Sequence, residues 1–410
     1  MKIAVFNVKF SENLGDGVLA QCLEKALCRD GDIEVETIDL AGRVRFGATS
    51  PHRRSAVRLL HVLPNFARRL AVSHALRAKL RALGEEWDRK IAAVDGVVLG
   101  GGNLFQDDDL NFPLKIGTLL DSVRRSGKPF AIHAVGVTRS WSPHALALFR
   151  QIEDTNLVYL SVRDTASHDN WRHHFPKGHA PAVVPDPGLF AGDLLTASAL
   201  VNEGEHVVGI CVTDPVILAR HSGRRVRGIC FGTSGEYVEL IQLLVQRGER
   251  VQLFSNGARE DQAFAERVFL DGRLAPCRAA GRLRLAERPG TPEELMDVIR
   301  SNSVVLAHRL HACIVAYALG IPQVGLGWDP KVESFFRSVG RQDYFADSPE
   351  ITPKHICMLL EETAAGGIDK TAQAVDVAAA TAAVRSLKSR LLSSEATAPE
   401  PMSGNLVLHV

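Results

Sequence analysis

The order of apolar and amphipathic segments constrains the fold of this chain more than any other feature. Short runs of consecutive apolar residues, such as Ile3–Val8 and Phe130–Val135, alternate with segments whose apolar residues recur at helical spacing, such as Asp16–Leu27. Strands that are apolar on both faces and separated by helices are typical of a parallel sheet covered by helices on both sides. The sequence therefore predicts an α/β protein with doubly wound, Rossmann-like sheets.

The alternation occurs twice along the chain, and a polar stretch from about 194 to 205 separates the two series. Because 410 residues exceed the roughly 100–200 residues of an ordinary domain, two domains facing a cleft are expected. The predicted boundaries are 1–195 for the first domain, with a basic insertion at 43–90, then 205–345 for the second, 346–392 for C-terminal helices and 393–410 for a disordered tail.

Composition argues against several classes of protein. Hydrophobic residues make up 46% of the chain and charged residues 23%, which is typical of a globular protein. A net charge of +1 gives no support for nucleic-acid binding.

Neither a leader before the first strand nor an apolar run of about 18 residues is present, so we expect a cytoplasmic protein. The seven cysteines form no CxxC pair and are expected to be buried thiols, and no metal site or cofactor is predicted.

The insertion at 43–90 does not follow the alternation. It holds twelve Lys and Arg residues but only three Asp and Glu, and its middle, Val57–Leu63, is both apolar and basic. One interpretation is a surface that contacts an anionic membrane, at the inner face of the membrane, or a lipid-linked substrate. The other is a helical insertion whose arginines are simply exposed to solvent.

In the first series, three polar motifs follow predicted strands, where ligands of doubly wound sheets bind. Asn13-Leu14-Gly15-Asp16 can contact a ligand, or Asp16 can only cap the next helix. Gly100-Gly101-Gly102-Asn103 can bring backbone amides to a ligand, or can form a plain tight turn. Ser161-Val162-Arg163-Asp164 places a guanidinium at a strand end, where it can bind a carboxylate or phosphate or pair with its neighbour.

The second series carries three further motifs. Asn256-Gly257 follows a strand and suits either a ligand or a turn. His308-Arg309-Leu310-His311 puts a guanidinium and an imidazole at the start of a helix, where anions are already favoured. Trp328-Asp329-Pro330-Lys331 adds one more cation, or a solvated lysine. Asp186-Pro187, near the junction of the two series, is interpreted as structural.

Taken in order, these motifs resemble the polysaccharide pyruvyltransferases over residues 1 to about 340. The match continues through Gly320-Ile321-Pro322, whereas the segment His133–Val137 has fewer glycines than the corresponding turn of many relatives. The resemblance implies a GT-B-like fold, phosphoenolpyruvate as donor, and a saccharide acceptor that is often lipid-linked. It implies a role in surface or exopolysaccharide biosynthesis.

By this resemblance, Arg163, Arg309 and His311 are linked to donor binding and catalysis. His311 has an intrinsic pKa suited to a general acid, and phosphoenolpyruvate needs several convergent cations. The predicted catalytic residues are His311, Arg309 and Asp16. The predicted donor-binding residues are Arg163, Arg309, Lys331 and Asn256, and the acceptor-binding residues are Asn13, Gly15, Gly101, Gly102 and Asn103.

Two other functions remain open from the sequence. A glycosyltransferase of the same architecture that uses a nucleotide-sugar donor would need a similar second domain. A non-catalytic binding protein of the same fold is the other alternative, although Arg163, Arg309 and His311 argue against it.

Overall fold

A computed structural model describes residues 1–47, 65–195, 206–222 and 228–395 of the chain. Within these ranges the chain forms two six-stranded parallel sheets with helices between the strands. The predicted fold class is therefore confirmed. The apolar-basic stretch of the insertion and residues 396–410 of the predicted tail lie outside the described residues.

The first sheet has the strand order β2-β1-β3-β4-β5-β6, with all neighbouring pairs parallel. In this order the connections reverse direction between β1 and β3, which is where ligands bind in such sheets. Its strands are β1 (Lys2–Asn7), β2 (Glu34–Asp39), β3 (Gly96–Phe105), β4 (Phe130–Val137), β5 (Leu157–Val162) and β6 (Ala182–Val183).

The second sheet has the order β12-β11-β10-β7-β8-β9, again parallel throughout. The reversal falls between β7 and β10, as in dinucleotide-binding folds. Its strands are β7 (Val207–Cys211), β8 (Arg250–Phe254), β9 (Leu283–Leu285), β10 (Val304–Ala307), β11 (Gln323–Leu326) and β12 (Phe345–Ala346).

The helices follow the strands and cover both faces of each sheet. Those of the first half are α1 (Leu14–Cys28), α2 (Asn65–Ala92), α3 (Asn111–Ser126), α4 (Pro143–Arg150), α5 (Thr165–His174) and α6 (Ala191–Leu194). Those of the second half are α7 (Pro215–Ser222), α8 (Ser234–Gln246), α9 (Arg259–Phe269), α10 (Ala275–Ala279), α11 (Pro292–Arg300), α12 (Leu310–Ala318), α13 (Pro330–Ser338), α14 (Pro353–Gly366) and α15 (Lys370–Glu395).

Local sequence explains several helix boundaries. Helix α11 begins at Pro292 because Thr291 accepts a hydrogen bond from the amide of Glu294, while proline occupies the first turn. Helix α8 begins with a capping box between Thr233 and Glu236. The sequence Thr291-Pro292-Glu293-Glu294 predicts a helix start, and α11 begins there.

The two sheets are joined by buried apolar residues of α1 and α12, which belong to one continuous core cluster. Helix α15 returns to the first sheet, where Lys388 binds Asp30 and Asp32 at 2.6 and 2.7 Å. At its other end, Tyr317 of α12 donates a hydrogen bond to Asp376 at 2.7 Å. This terminal helix therefore links both halves of the protein.

Some predicted boundaries differ from the structure. The apolar run Gly96–Leu99 predicts a strand that ends at Leu99, whereas β3 continues to Phe105. Helix α15 extends three residues into the segment predicted as a disordered tail. Helix α2 covers much of the basic insertion, and its C-terminal half buries Trp87 and Ile91 against the first sheet.

Six of the seven cysteines are buried free thiols, as predicted, while Cys28 is half-buried. Among the described helices, none is long and apolar enough to cross a bilayer.

Candidate functional site

The chemically active side chains gather at the N-termini of four helices. Helix α1 follows β1, α5 follows β5, α12 follows β10 and α13 follows β11. These helices carry Asp16, Arg163, Arg309, His311 and Lys331 in their first turns or directly before them. The N-terminus of a helix favours anions through free amide groups and the helix dipole. The site is thus electrostatically suited to a negatively charged ligand.

His311 lies between the two halves of the protein. Its Nδ1 atom is 3.5 Å from Oδ1 of Asp16 on α1, while its Nε2 atom has no hydrogen-bond partner among the residues that the structure describes. Gly15 permits this contact, because a Cβ atom there would lie 2.8 Å from Cγ of His311. One ring nitrogen thus faces a carboxylate, whereas the other is a buried polar atom that the described fold does not use.

Three cations act on His311 together. Burial, followed by the positive charges of Arg163, Lys331 and Arg309, lowers the pKa of His311 to about 3. The imidazole is therefore neutral at pH 7 when the site is empty. Arg163 belongs to the first domain and Lys331 to the second, and both line the same cavity, so the two domains bring these charges to one place.

Arg309 is held in a fixed orientation by Asp261 of α9. Its Nε and Nη2 atoms donate to Oδ2 of Asp261 at 3.0 and 2.5 Å, and the other carboxylate oxygen accepts from the amide of Asp214 at 3.0 Å. The Asp261 side chain is fully buried. Although burial disfavours its charge, the pKa of Arg309 is raised because of Asp261. The guanidinium is therefore permanently charged and positioned before any ligand arrives.

Arg163 lies close to Asn103 and Gly136. A Cβ atom on Gly136 would lie 2.7 Å from Nη2 of Arg163 and in collision with Oδ1 of Asn103. Nε of Arg163 is 3.4 Å from Asp164, whose other oxygen caps α5 through the amide of Ser167 at 2.6 Å. The Arg163–Asp164 pair considered from the sequence is thus present, and the charge of the guanidinium also acts on His311.

Lys331 adds the third cation from the first turn of α13. Its Nζ atom lies 3.1 Å from Asp329 and 4.3 Å from the centre of the Trp328 ring. Burial lowers the pKa of Lys331, and Asp329 opposes this effect. The side chain is only 20% exposed, so it is not a freely solvated surface lysine.

A cavity of about 590 Å³ opens beside this cluster. Arg163 and Lys331 line it, together with Leu310, which precedes His311 in α12. Pockets that bind small molecules commonly measure about 300–1,000 Å³. The cavity is large enough for a ligand next to the cations.

The glycine motif of β3 has a different position from the one expected of a ligand-binding turn. Gly100 and Gly101 face α1, where Cβ atoms would lie 2.8 Å from Leu23 and Leu19 respectively. Gly101 and Gly102 are buried and have positive φ angles of 74° and 86°. These glycines allow β3 to pass close to α1, whereas Asn103 alone reaches the side of Arg163.

Asn13 and Asn256 are in contact with each other across the domain boundary. The side-chain amide of Asn256 donates to Oδ1 of Asn13, and the amide of Leu14 donates to the carbonyl of Asn256 at 3.0 Å. The Asn13 side chain also donates to Asp16 at 3.3 Å. Both residues therefore support the loop that carries Asp16.

Sequence reasoning missed two residues that shape the site. Asp261 was not among the predicted site residues, because its pairing with Arg309 joins positions 48 residues apart, which no local pattern reveals. Gly136 could have been noticed from the sequence, since it is the one glycine in the His133–Val137 segment.

Among the described side chains, no group of three His, Cys, Asp or Glu residues is arranged to hold a metal ion.

Comparisons with known proteins agree with this architecture. A sequence model of the polysaccharide pyruvyl transferase family matches residues 13–330, which is most of the chain. No curated protein sequence matches it.

Comparison with solved structures shows which fold this chain adopts. A protein from Listeria monocytogenes assigned as a UDP-N-acetylglucosamine 2-epimerase is 12% identical, with a TM-score of 0.56 over 98% of both chains. The UDP-GlcNAc 2-epimerase of Methanocaldococcus jannaschii is 11% identical, with a TM-score of 0.51 over 89% of this chain and 93% of that one. At such identity the likeness shows the fold alone, which is two Rossmann-like domains of the GT-B type.

Proposed function

Since the chain belongs to the polysaccharide pyruvyl transferase family, we propose that it transfers the enolpyruvyl unit of phosphoenolpyruvate to a saccharide as a pyruvate ketal. The acceptor is a surface glycan or exopolysaccharide under synthesis. One observation carries the choice of donor: the positive charges of Arg163, Arg309 and Lys331 all act on His311 and lower its pKa, and Arg163 and Lys331 line one cavity. Phosphoenolpyruvate carries a carboxylate and a phosphate, which is the kind of charge that three fixed cations bind.

The reaction needs a proton at the methylene carbon of the donor, which makes C2 electrophilic. His311 delivers that proton from Nε2, while Asp16 faces Nδ1 and orients the ring. One sugar hydroxyl then bonds to C2, and a second hydroxyl displaces phosphate and closes the ketal. Arg163 and Arg309 hold the donor by its charged groups, with Lys331 as the third cation.

The low pKa of His311 in the empty site fits this scheme. The three cations that lower the pKa of His311 are the groups that the donor's negative charges would neutralise. The bound donor should therefore raise the pKa of His311 and load it with a proton before the chemical step.

Binding of phosphoenolpyruvate should accordingly take up a proton through His311. The pKa of His311 is about 3 without the donor and higher with it, so binding weakens as pH rises through the higher value. Calorimetry in buffers of different ionisation enthalpy measures the uptake, and His311→Ala is the variant that should lose it. Equal proton uptake by both proteins would remove His311 from this role.

Gly136→Ala should reduce turnover by roughly tenfold or more, because the added methyl group displaces Arg163 and Asn103. Overpacking of this kind also costs about 1–3 kcal/mol of stability. The matched control is Gly272→Ala, where a Cβ atom would meet nothing within 4 Å. Thermal unfolding and phosphate release check both effects, and unchanged donor affinity in Gly136→Ala would contradict the placement of Arg163 at the donor.

The proposed activity is tested with the glycan isolated from a strain that lacks the gene. Incubated with the protein and phosphoenolpyruvate, this glycan should release phosphate and gain the mass of pyruvate less one water. A protein that instead releases nucleotide from a sugar nucleotide, without phosphate from phosphoenolpyruvate, would be a glycosyltransferase.

A further inference from the structure

Asp186, interpreted as structural from the sequence, has one carboxylate oxygen that the fold does not use. Oδ1 accepts from the amide of Gly188 at 2.9 Å and so caps the turn at Pro187–Phe190. Oδ2 is shielded from solvent and has no hydrogen-bond partner within the described ranges. Only 7% of the residue is exposed. A buried polar atom without a partner is costly, so capping alone does not explain this carboxyl group.

Asp186 lines the cavity beside the cation cluster. Glu333 and Ser334 of α13 also line it, and the apolar side chains of Leu310 and Ile314 form part of the wall. Such a mixture suits a sugar, whose hydroxyls bind polar groups while its C–H faces pack on apolar surface. Arg163 and Lys331, which we propose bind the donor, line the same cavity.

Part of the location that the sequence predicts for a sugar is filled by protein. Gly101, proposed from the sequence as an acceptor contact, is buried against Leu19 of α1. The cavity, in contrast, is open and adjacent to the cations. An acceptor bound there would lie next to a donor held by Arg163.

We propose that this cavity binds the acceptor saccharide and that Asp186 is the base for the first attacking hydroxyl. The proposal rests on the proposed pyruvyl transfer. As the oxygen of that hydroxyl bonds to C2, its proton passes to Oδ2 of Asp186. The second hydroxyl then bonds to C2 while the bond from C2 to the phosphate oxygen breaks. The proton of the second hydroxyl passes to His311 and replaces the one that His311 gave to the methylene carbon. The proton on Asp186 leaves with the phosphate.

The surroundings of Asp186 favour a base of useful strength. Burial raises the pKa of Asp186, and the charge of Arg163 opposes this rise. The other groups facing it are Asp164 and Asp16, which also raise its pKa, and the thiol of Cys22 on α1. General bases act best when their pKa approaches the working pH. The rate should therefore rise with pH as Asp186 ionises.

Asp186→Asn tests the proposal, because asparagine keeps the shape and the cap on Gly188. With the glycan from the gene-deleted strain as acceptor, turnover should fall by roughly 10²–10⁴-fold and the acidic limb of the pH profile should disappear. Calorimetric affinity for phosphoenolpyruvate alone should stay within about twofold. Asp271→Asn is the matched control, since Asp271 caps Gly272–Leu274 in the same way but lies away from the cavity.

A second variant tests the cavity itself. Ser334→Phe should fill it and raise the KM for the glycan at least tenfold, with donor affinity unchanged. Wild-type turnover and an intact acidic limb in Asp186→Asn would overturn the role of Asp186, and an unchanged KM in Ser334→Phe would overturn the acceptor site. A wild-type protein that releases no phosphate from phosphoenolpyruvate with this glycan would instead refute the proposed function.

Discussion

Replacing His311 with alanine should leave a folded protein whose rate of ketal formation is lower by roughly 10²–10⁴-fold, the usual contribution of a general acid. The ring contacts Asp16 through one nitrogen, and the other nitrogen has no partner among the described residues. Its removal therefore takes away the proposed proton donor without breaking a structural network. Phosphate release with saturating donor and glycan measures the loss, and thermal unfolding checks the fold.

His308 provides the contrasting variant. It is also buried, but its Nδ1 lies 3.3 Å from the hydroxyl of Tyr237 and its Nε2 lies 2.7 Å from the carbonyl of Cys230. His308→Ala leaves those two groups without their partner, so it should mainly lower stability. Near-normal turnover in His311→Ala would exclude His311 as the acid, and an equal drop in activity per folded molecule in both variants would indicate a structural effect.

The sequence predicted the parallel sheets well because the apolar strands of such sheets are continuous and their helices have strong boundaries. Thr291 and Pro292 define the start of α11 by themselves, and the strand Gln323–Leu326 was predicted with its observed bounds. The short edge strands β9 and β12 were missed, because two or three residues carry too little pattern.

Candidate site residues could be predicted from the sequence only where a short local motif indicated them. Arg163, Arg309, His311 and Lys331 directly follow strands or begin helices, so position along the chain placed them at one edge of each sheet. In the glycine triplet, Gly100 and Gly101 lie against Leu23 and Leu19, and the sequence does not show which helix passes over a strand.

Pairings between residues far apart in the sequence could not be predicted either, because no local pattern shows them. The sequence predicted Arg309 as a donor-binding residue without showing that Asp261 holds two of its nitrogen atoms. The pairing changes the physical role of Arg309: it presents a pre-oriented guanidinium instead of reorganising around the ligand. Pre-orientation reduces the free energy needed to order the side chain when the donor binds.

Asp261→Ala should therefore have the largest effect on stability, a loss of about 3–5 kcal/mol, because it leaves the buried charge of Arg309 without its partner. The amide of Asp214 loses its acceptor as well. Urea unfolding measures the change in free energy. Donor affinity should also fall, since Arg309 would no longer be held in place.

The double variant Asp261→Ala with Arg309→Met separates the two consequences. Replacing both partners removes the unpaired charge, so most of the lost stability should return, whereas donor affinity should remain low. Asp271→Ala is the control, because Asp271 and Arg273 form a similar two-bonded pair at 2.9 and 2.8 Å on the surface, where solvent replaces the lost partner at little cost. Asp261→Ala could also prove no less stable than this control. Another acid of the cluster would then have to neutralise Arg309. Asp16 is the carboxylate in position to do so, because it already interacts with the charge of Arg309.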